Sequence, residues 1–284
     1  MILVFGKTGQ VAQEIALNAG QREIVFLGRD AADLTNPEQC QAAIETHRPQ
    51  AVINAAAYTA VDRAEDEAET AMAVNGTTVG AIARTCSALG IPLVHISTDY
   101  VFDGSGEAPH RPEDATHPIN TYGRTKLAGE TAIRASTCRH AIMRTSWVFS
   151  AHGNNFVKTM LRLSETRDAL NVVDDQIGGP TPAADIARAC LHLADRLMAG
   201  EMDSATLHFG GSPDVSWAGF AREIFSQAGR SVTVTGIPTS DYPTPAKRPL
   251  NSRMDCSSLS ACGLERPDWR AGLRDVLNSK EISS

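Results

Sequence analysis

The sequence predicts an α/β fold, a Rossmann-type doubly wound parallel sheet with a smaller C-terminal substrate domain. Three observations carry that expectation. Short apolar runs alternate with longer amphipathic ones through the first half of the chain. A glycine turn stands directly after the first apolar run. Past about residue 150 the alternation gives way to irregular, proline-punctuated segments. Strand and helix in regular succession imply a parallel sheet covered by helices on both faces.

Taken in order, residues 2–5 read as the first strand and 11–18 as the first helix. A strand over 23–27, a helix over 37–46, a strand over 51–54 and one long helix over 64–88 follow. A strand over 92–97, a helix over 126–135 and a strand over 141–144 complete the first half. Later, residues 156–166, 183–198 and 218–227 read as helices and 207–209 as a strand. Pro238, Pro243, Pro245 and Pro249 exclude long regular structure between 237 and 251, since proline lacks an amide hydrogen. Such a segment is a loop that wraps something, or a linker. The expected division is a dinucleotide-binding domain over 1–150, completed by part of 182–210, and a mainly substrate-binding domain over 151–284.

Bulk properties narrow the function. A chain of 284 residues that is 42% hydrophobic and 21% charged can bury a sizeable core, so disorder is not expected. Its net charge of −7 argues against nucleic-acid binding, which needs clustered Lys and Arg. The opening run Met1–Phe5 is too short for a signal peptide, and no other stretch is long and apolar enough for a membrane span. Cys40, Cys86, Cys138, Cys190, Cys256 and Cys262 lie far apart, so neither a zinc site nor a disulfide framework is expected. A cytoplasmic location is the simplest expectation.

The turn Gly6-Lys7-Thr8-Gly9-Gln10-Val11-Ala12 follows the first strand and opens the first helix. Gly6 permits the tight turn, Gly9 lets the backbone approach a pyrophosphate, and Ala12 allows close helix–strand packing. Helix N-terminal amides then favour the anion. Gly6, Thr8, Gly9, Gln10 and Val11 are therefore candidate cofactor contacts. After the second strand, Gly28-Arg29-Asp30 stands where such folds read the adenosine ribose. Arg29 suits a 2′-phosphate and points to NADPH, whereas Asp30 keeps NADH open. Arg29 reads equally well as a solvated surface charge. Asp33 and Leu34 would flank the adenine. The small residues of Asn54-Ala55-Ala56-Ala57, with Tyr58 behind them, would lie along the cofactor.

Tyr122 and Lys126 are four residues apart, which puts both on one helix face. A ketone that accepts hydride needs a proton at oxygen, and tyrosine with a pKa near 10 is a weak acid for that task. A nearby ammonium would bring the phenol towards the working range. Thr98 ends its strand at the carboxyl edge, where parallel sheets bind ligands, and its hydroxyl would hold the substrate carbonyl. His95, on an apolar strand, reads as a packed core histidine.

Longer strings add specificity: Asn54-Ala55-Ala56-Ala57-Tyr58-Thr59-Ala60-Val61-Asp62, Ser97-Thr98-Asp99-Tyr100-Val101-Phe102, Tyr122-Gly123-Arg124-Thr125-Lys126, Arg144-Thr145-Ser146-Trp147, Asn154-Asn155-Phe156-Val157-Lys158 and Pro245-Ala246-Lys247-Arg248-Pro249. With these the chain resembles the extended short-chain dehydrogenase/reductase family, in its branch acting on nucleotide-linked keto-sugars. The resemblance implies NAD(P)H-dependent reduction of the C4 ketone of dTDP-4-dehydro-6-deoxy-L-mannose. It implies Thr98, Tyr122 and Lys126 as catalytic residues and Thr59, Val61, Thr98, Asp99, Tyr122, Trp147 and Asn155 at the substrate. Ala12 departs from the glycine common in the family. A magnesium ion at a subunit interface is known there, but no local carboxylate cluster establishes one in this chain, and no metal ligand is assigned. A homodimer stays open.

Lys158, Arg248 and Arg253 are candidates to neutralise the substrate diphosphate, Arg248 being held in the proline-rich loop. Asp174-Asp175 and Glu65-Asp66-Glu67 read as architecture, the latter complementing a helix dipole. Two other functions compete. A dehydratase of this fold tends to carry Asp-Glu after the threonine, whereas Asp99-Tyr100 stands here; an epimerase is less disfavoured. A non-catalytic regulatory subunit on the same scaffold is the other, against which the intact Thr98, Tyr122 and Lys126 argue.

Overall fold

The computed structural model describes residues 1–279 and Ile282; the final positions of the 151–284 segment otherwise lie outside the described residues. The first half builds β1 (Ile2–Phe5), α1 (Gln10–Leu17), β2 (Ile24–Leu27), α2 (Pro37–His47) and β3 (Ala51–Asn54). The strand alternation works on both faces at once. Ile2 and Val4 enter one core, while Leu3 and Phe5 enter the other.

The long helix expected over 64–88 is broken. It forms α3 (Arg63–Asp66), α4 (Ala68–Met72), a π-helical turn over Ala73–Thr77, and α5 (Thr78–Leu89). Glu67 leaves helical geometry at φ −113° and accepts the Tyr58 hydroxyl at 2.6 Å. Inside the π turn, buried Asn75 accepts the Tyr58 amide at 2.9 Å and donates to the Tyr58 carbonyl at 3.0 Å. These distant polar partners override the local periodicity.

β4 (Leu93–Thr98), α6 (Thr121–Ala135) and β5 (His140–Thr145) follow. The catalytic-helix candidate starts five residues earlier than expected, because Asn120 caps it by accepting the Gly123 amide at 2.8 Å. In the second half come β6 (Val148–Phe149), α7 (Phe156–Ser164), β7 (Ala169–Val173), β8 (Ile177–Gly178), β9 (Thr181–Pro182) and α8 (Ala183–Ala199). The chain ends with β10 (Ala205–His208), β11 (Val215–Ser216), α9 (Trp217–Gln227), β12 (Thr233–Ile237), β13 (Asn251–Ser252) and α10 (Trp269–Leu277). β6, β8, β9, β11 and β13 have two residues each, too few to show a period in sequence.

Six parallel strands form the main sheet in the order β10-β5-β4-β3-β1-β2. The direction of winding reverses between β1 and β3, and ligands of open α/β sheets bind at such a point. α1 and α8 cover one face and α2 and α5 the other. A third core, with Phe149, Phe220, Ile224, Trp269 and Leu273, lies in the second half. The proline-punctuated stretch does wrap back: Ala246 donates its amide to Asp62 at 3.1 Å, and the Lys247 carbonyl accepts from Asn120 at 2.8 Å.

Candidate active site

A cleft of ≈ 990 Å³ opens along the carboxyl ends of the main-sheet strands. The glycine turn forms one end of it. Gly6 adopts φ +110°, and a Cβ there would press against the Ala55 backbone at 3.4 Å. Gly9 precedes α1 with no side-chain cap, and a Cβ on it would meet no protein atom within 4 Å. The first amides of α1 therefore face open space with no protein acceptor from the cap, an arrangement that fits a dinucleotide pyrophosphate. Thr8, Gln10, Val11, Arg29, Asp33, Leu34, Ala56 and Ala57 all line the same cleft. Arg29 is exposed and lies 3.6 Å from Asp33 across an i,i+4 spacing.

Farther along, Thr98, Asp99, Tyr122, Lys126, Thr59, Val61 and Trp147 line the remainder. Thr98 is the last residue of β4, and Tyr122 and Lys126 occupy successive turns of α6. α6 can come this near because residue 123 is glycine; a Cβ there would stand 2.1 Å from the Tyr100 carbonyl oxygen. Tyr100 and Tyr122 meet edge to face at 5.5 Å. Glu130, two turns beyond Tyr122, is fully buried and clamps the helix to the sheet. It accepts Ser97 at 2.6 Å and Arg144 through both oxygens, at 2.9 and 2.7 Å. Burial would raise its pKa, but these partners with Arg134 hold it below the usual carboxylate value.

Burial dominates the electrostatics of the Tyr122–Lys126 pair. Burial pushes the Tyr122 phenol up, with hydrogen bonding to Thr98 opposing and the Asp99 carboxylate adding to the rise. Burial lowers Lys126 to about 8, against the attraction of Glu130. Its amine donates to the Ile96 carbonyl at 2.7 Å and lies 3.4 Å from His95 Nε2. The Thr98 hydroxyl donates to Asp99 at 3.0 Å and accepts the Tyr100 amide at 3.2 Å, beside the Tyr122 phenol. Asp99 is pushed up to about 6 by burial, opposed by the Ser252 and Thr98 hydroxyls.

Five expected site residues do not line the cleft. Arg253 donates to the Asn251 side-chain carbonyl at 3.0 Å. Asn155 caps α7 and donates to Gln10 at 2.9 Å, and Lys158 donates to the Ala151 carbonyl at 3.0 Å. Arg248 pairs with Asp62 at 2.7 Å, and Tyr58 bonds Glu67. Each satisfies a nearby protein group, which sequence order alone does not display. Conversely, Trp217 is a lining residue that sequence reasoning missed; it stacks on Trp147 with ring centroids 3.7 Å apart. Trp147 holds φ +50°, an uncommon left-handed geometry for a bulky residue. His95 is completely buried, as expected of a core histidine, yet it also touches Lys126. Among the described residues no group of three or more His, Cys, Asp or Glu side chains could hold a metal ion.

A glycine turn at the switch point, with a strand-end threonine and a Tyr-x-x-x-Lys helix on the same cleft, defines a short-chain dehydrogenase/reductase of the extended type. The family model described as the RmlD substrate binding domain matches residues 1–282. The dTDP-4-dehydrorhamnose reductase of Sinorhizobium fredii is 45% identical, covering 97% of this chain and 96% of that protein. The crystal structure of the Clostridium acetobutylicum dTDP-4-dehydrorhamnose reductase superposes with a TM-score of 0.91 at 35% identity, over 98% of both chains. That of the Bacillus anthracis enzyme, in complex with NADP, gives 0.90 at 34% identity, over 97% of this chain and 98% of the other. The chain belongs to the dTDP-4-dehydrorhamnose reductase (RmlD) family. It is an NAD(P)H-dependent oxidoreductase.

Proposed function

We propose that the protein reduces the C4 ketone of dTDP-4-dehydro-6-deoxy-L-mannose to dTDP-L-rhamnose, with Tyr122 as the proton donor. The observation that carries this reading is that Tyr122, Lys126 and the glycine turn line one continuous cleft. When bound, the reduced nicotinamide supplies a hydride to the carbonyl carbon. Tyr122, kept protonated by burial, gives its proton to the oxygen on which negative charge develops. Thr98, whose hydroxyl is held by Asp99, hydrogen-bonds to the phenol and orients it.

Gly6, Thr8, Gly9, Gln10 and Val11 would cradle the pyrophosphate, with Asp33 and Leu34 at the adenosine. Arg29 would pair with a 2′-phosphate, making NADPH the preferred reductant. Thr59, Val61, Asp99 and Trp147 would face the sugar, joined by Trp217 through its stack on Trp147. On this reading residues 1–150, with α8 and β10, hold the coenzyme, and most of 151–284 serves the sugar nucleotide. Six cysteines without a disulfide support a cytoplasmic setting.

The test is turnover of the dTDP-4-keto-sugar, followed by absorbance of the reduced nicotinamide. Stoichiometric oxidation is expected, which separates reduction from epimerisation. Tyr122→Phe should lower turnover by roughly 10²-fold or more while coenzyme binding is nearly unchanged. Wild-type turnover in that variant would remove the proposed acid.

A further inference from the structure

Trp147 stands at the cleft in a conformation that its own backbone disfavours. It follows β5 with φ +50°, in the left-handed region where a bulky side chain crowds the neighbouring carbonyl. Such a setting persists only where the surroundings over-determine it. One constraint acts on the backbone, where the Trp147 carbonyl accepts the Thr181 amide at 3.2 Å. The others act on the indole. Gly178 in β8 leaves room for it, since a Cβ there would come within 3.0 Å of Trp147 Cε2. Against the ring itself lies Trp217, with centroids 3.7 Å apart and planes inclined by 13°.

Trp217 is in turn fixed by the second half of the chain. It opens α9, where Ser216 caps the helix by accepting the Gly219 amide at 3.0 Å. Its indole Nε1 donates to Gln176 Oε1 at 3.2 Å, and Gln176 Nε2 donates to Thr239 Oγ1 at 3.0 Å. The Thr239 hydroxyl donates to Asp175 at 2.6 Å, which closes the network. Phe156, at the start of α7, packs on the same indole at 4.6 Å. None of these groups belongs to the glycine turn or to α6. Both indoles line the cleft, so the stack is where the packing of the second half reaches the edge of the main sheet.

We propose that Trp217 is a positioning residue for sugar recognition, acting through Trp147 by holding that indole in its left-handed setting at the cleft wall. The inference rests on the proposed reading that Trp147 faces the keto-sugar. A stacked aromatic pair is stabilised beyond the burial of its area, and this gain opposes relaxation of Trp147 towards an ordinary φ. Without Trp217 the indole can leave the wall, and the sugar loses a surface that was formed before it arrived. The glycine turn, Tyr122 and Lys126 are untouched by that change. The loss therefore falls on binding of the sugar nucleotide, which appears in KM and leaves kcat nearly constant.

Steady-state kinetics of the full-length protein with Trp217→Leu and Trp217→Phe tests this. In Trp217→Leu, KM for the dTDP-4-keto-sugar should rise about tenfold, with kcat and NADPH affinity within about threefold of wild type. Trp217→Phe keeps a ring against Trp147 and should recover most of that loss. A wild-type KM in Trp217→Leu, or a phenylalanine variant as impaired as the leucine one, would overturn the proposal. So would losses confined to kcat or to NADPH binding. Circular dichroism gives a second readout without turnover. Two stacked indoles couple their transitions, and Trp269 packs on Phe220 outside the stack, so the wild type should show a far-ultraviolet exciton couplet. Saturating dTDP-L-rhamnose should change its amplitude. Should Trp217→Leu not fold, this titration decides, and an unperturbed couplet with the product bound by calorimetry would overturn the inference. A wild type that binds no dTDP-L-rhamnose is instead a failure of the proposed reaction.

Discussion

Ser97 donates its hydroxyl to Glu130 at 2.6 Å, tying the end of β4 to the middle of α6. The residue after Ser97 is Thr98, and Glu130 is one turn beyond Lys126 and two beyond Tyr122. The two arms of the site are thereby held together by a buried carboxylate whose charge is matched by Arg144.

Removing one partner of that ion pair should be severe. Glu130→Leu leaves the Arg144 guanidinium buried and unpaired, and is expected to destabilise by about 3–5 kcal/mol. The double variant Glu130→Leu with Arg144→Met should recover much of that loss. Urea denaturation of the two single variants and the double variant measures the coupling; additive losses would contradict it.

Gly123→Ala should displace α6 from Tyr100, because the new methyl would stand 2.1 Å from a backbone oxygen. A shift of this order moves Tyr122 relative to Thr98. We expect kcat to fall by roughly 10²-fold with the fold retained. Steady-state kinetics beside circular dichroism checks this, and an unimpaired kcat would show that the helix tolerates the displacement.

Arg29→Ala should weaken NADPH far more than NADH. A charge-assisted bond to a phosphate contributes about 1.5–3 kcal/mol, or roughly 10- to 100-fold in affinity. Titration of both coenzymes by fluorescence is the check. Equal losses would assign Arg29 to the surface, paired with Asp33.

Acid should destabilise the protein through His208. Burial and the neighbouring Arg144 lower its pKa from 6.5 to about 4, so the native state resists its protonation. Its contribution is fully present above about pH 6.5 and is lost as pH falls towards about 4, amounting to about 3 kcal/mol. Stability measured across that window should drop, and His208→Phe should flatten the slope. An unchanged slope would place the acid sensitivity elsewhere.

Much of the site was legible because its spacing is local. Four residues along a helix put Tyr122 and Lys126 on one face whatever surrounds them, and a glycine turn after a strand announces a phosphate cradle. The protein partners of Asn155, Lys158 and Arg248 were not legible, for the complementary reason. Each is a polar side chain whose partner, Gln10, the Ala151 carbonyl or Asp62, is settled by how distant segments meet. The break in the helix expected over 64–88 has the same origin, in Tyr58 reaching Glu67 and Asn75.

From the order of residues alone came the parallel α/β architecture, the glycine turn after β1 and the Tyr122–Lys126 pair on one helix face, since covalent spacing and side-chain period suffice for these. Tertiary structure alone decided the protonation logic and the far wall of the cleft. Lys126 meets His95 and the Ile96 carbonyl, and Trp147 meets Trp217, only after strands have paired and helices have packed, because hydrogen-bond direction and burial are properties of neighbours distant in sequence.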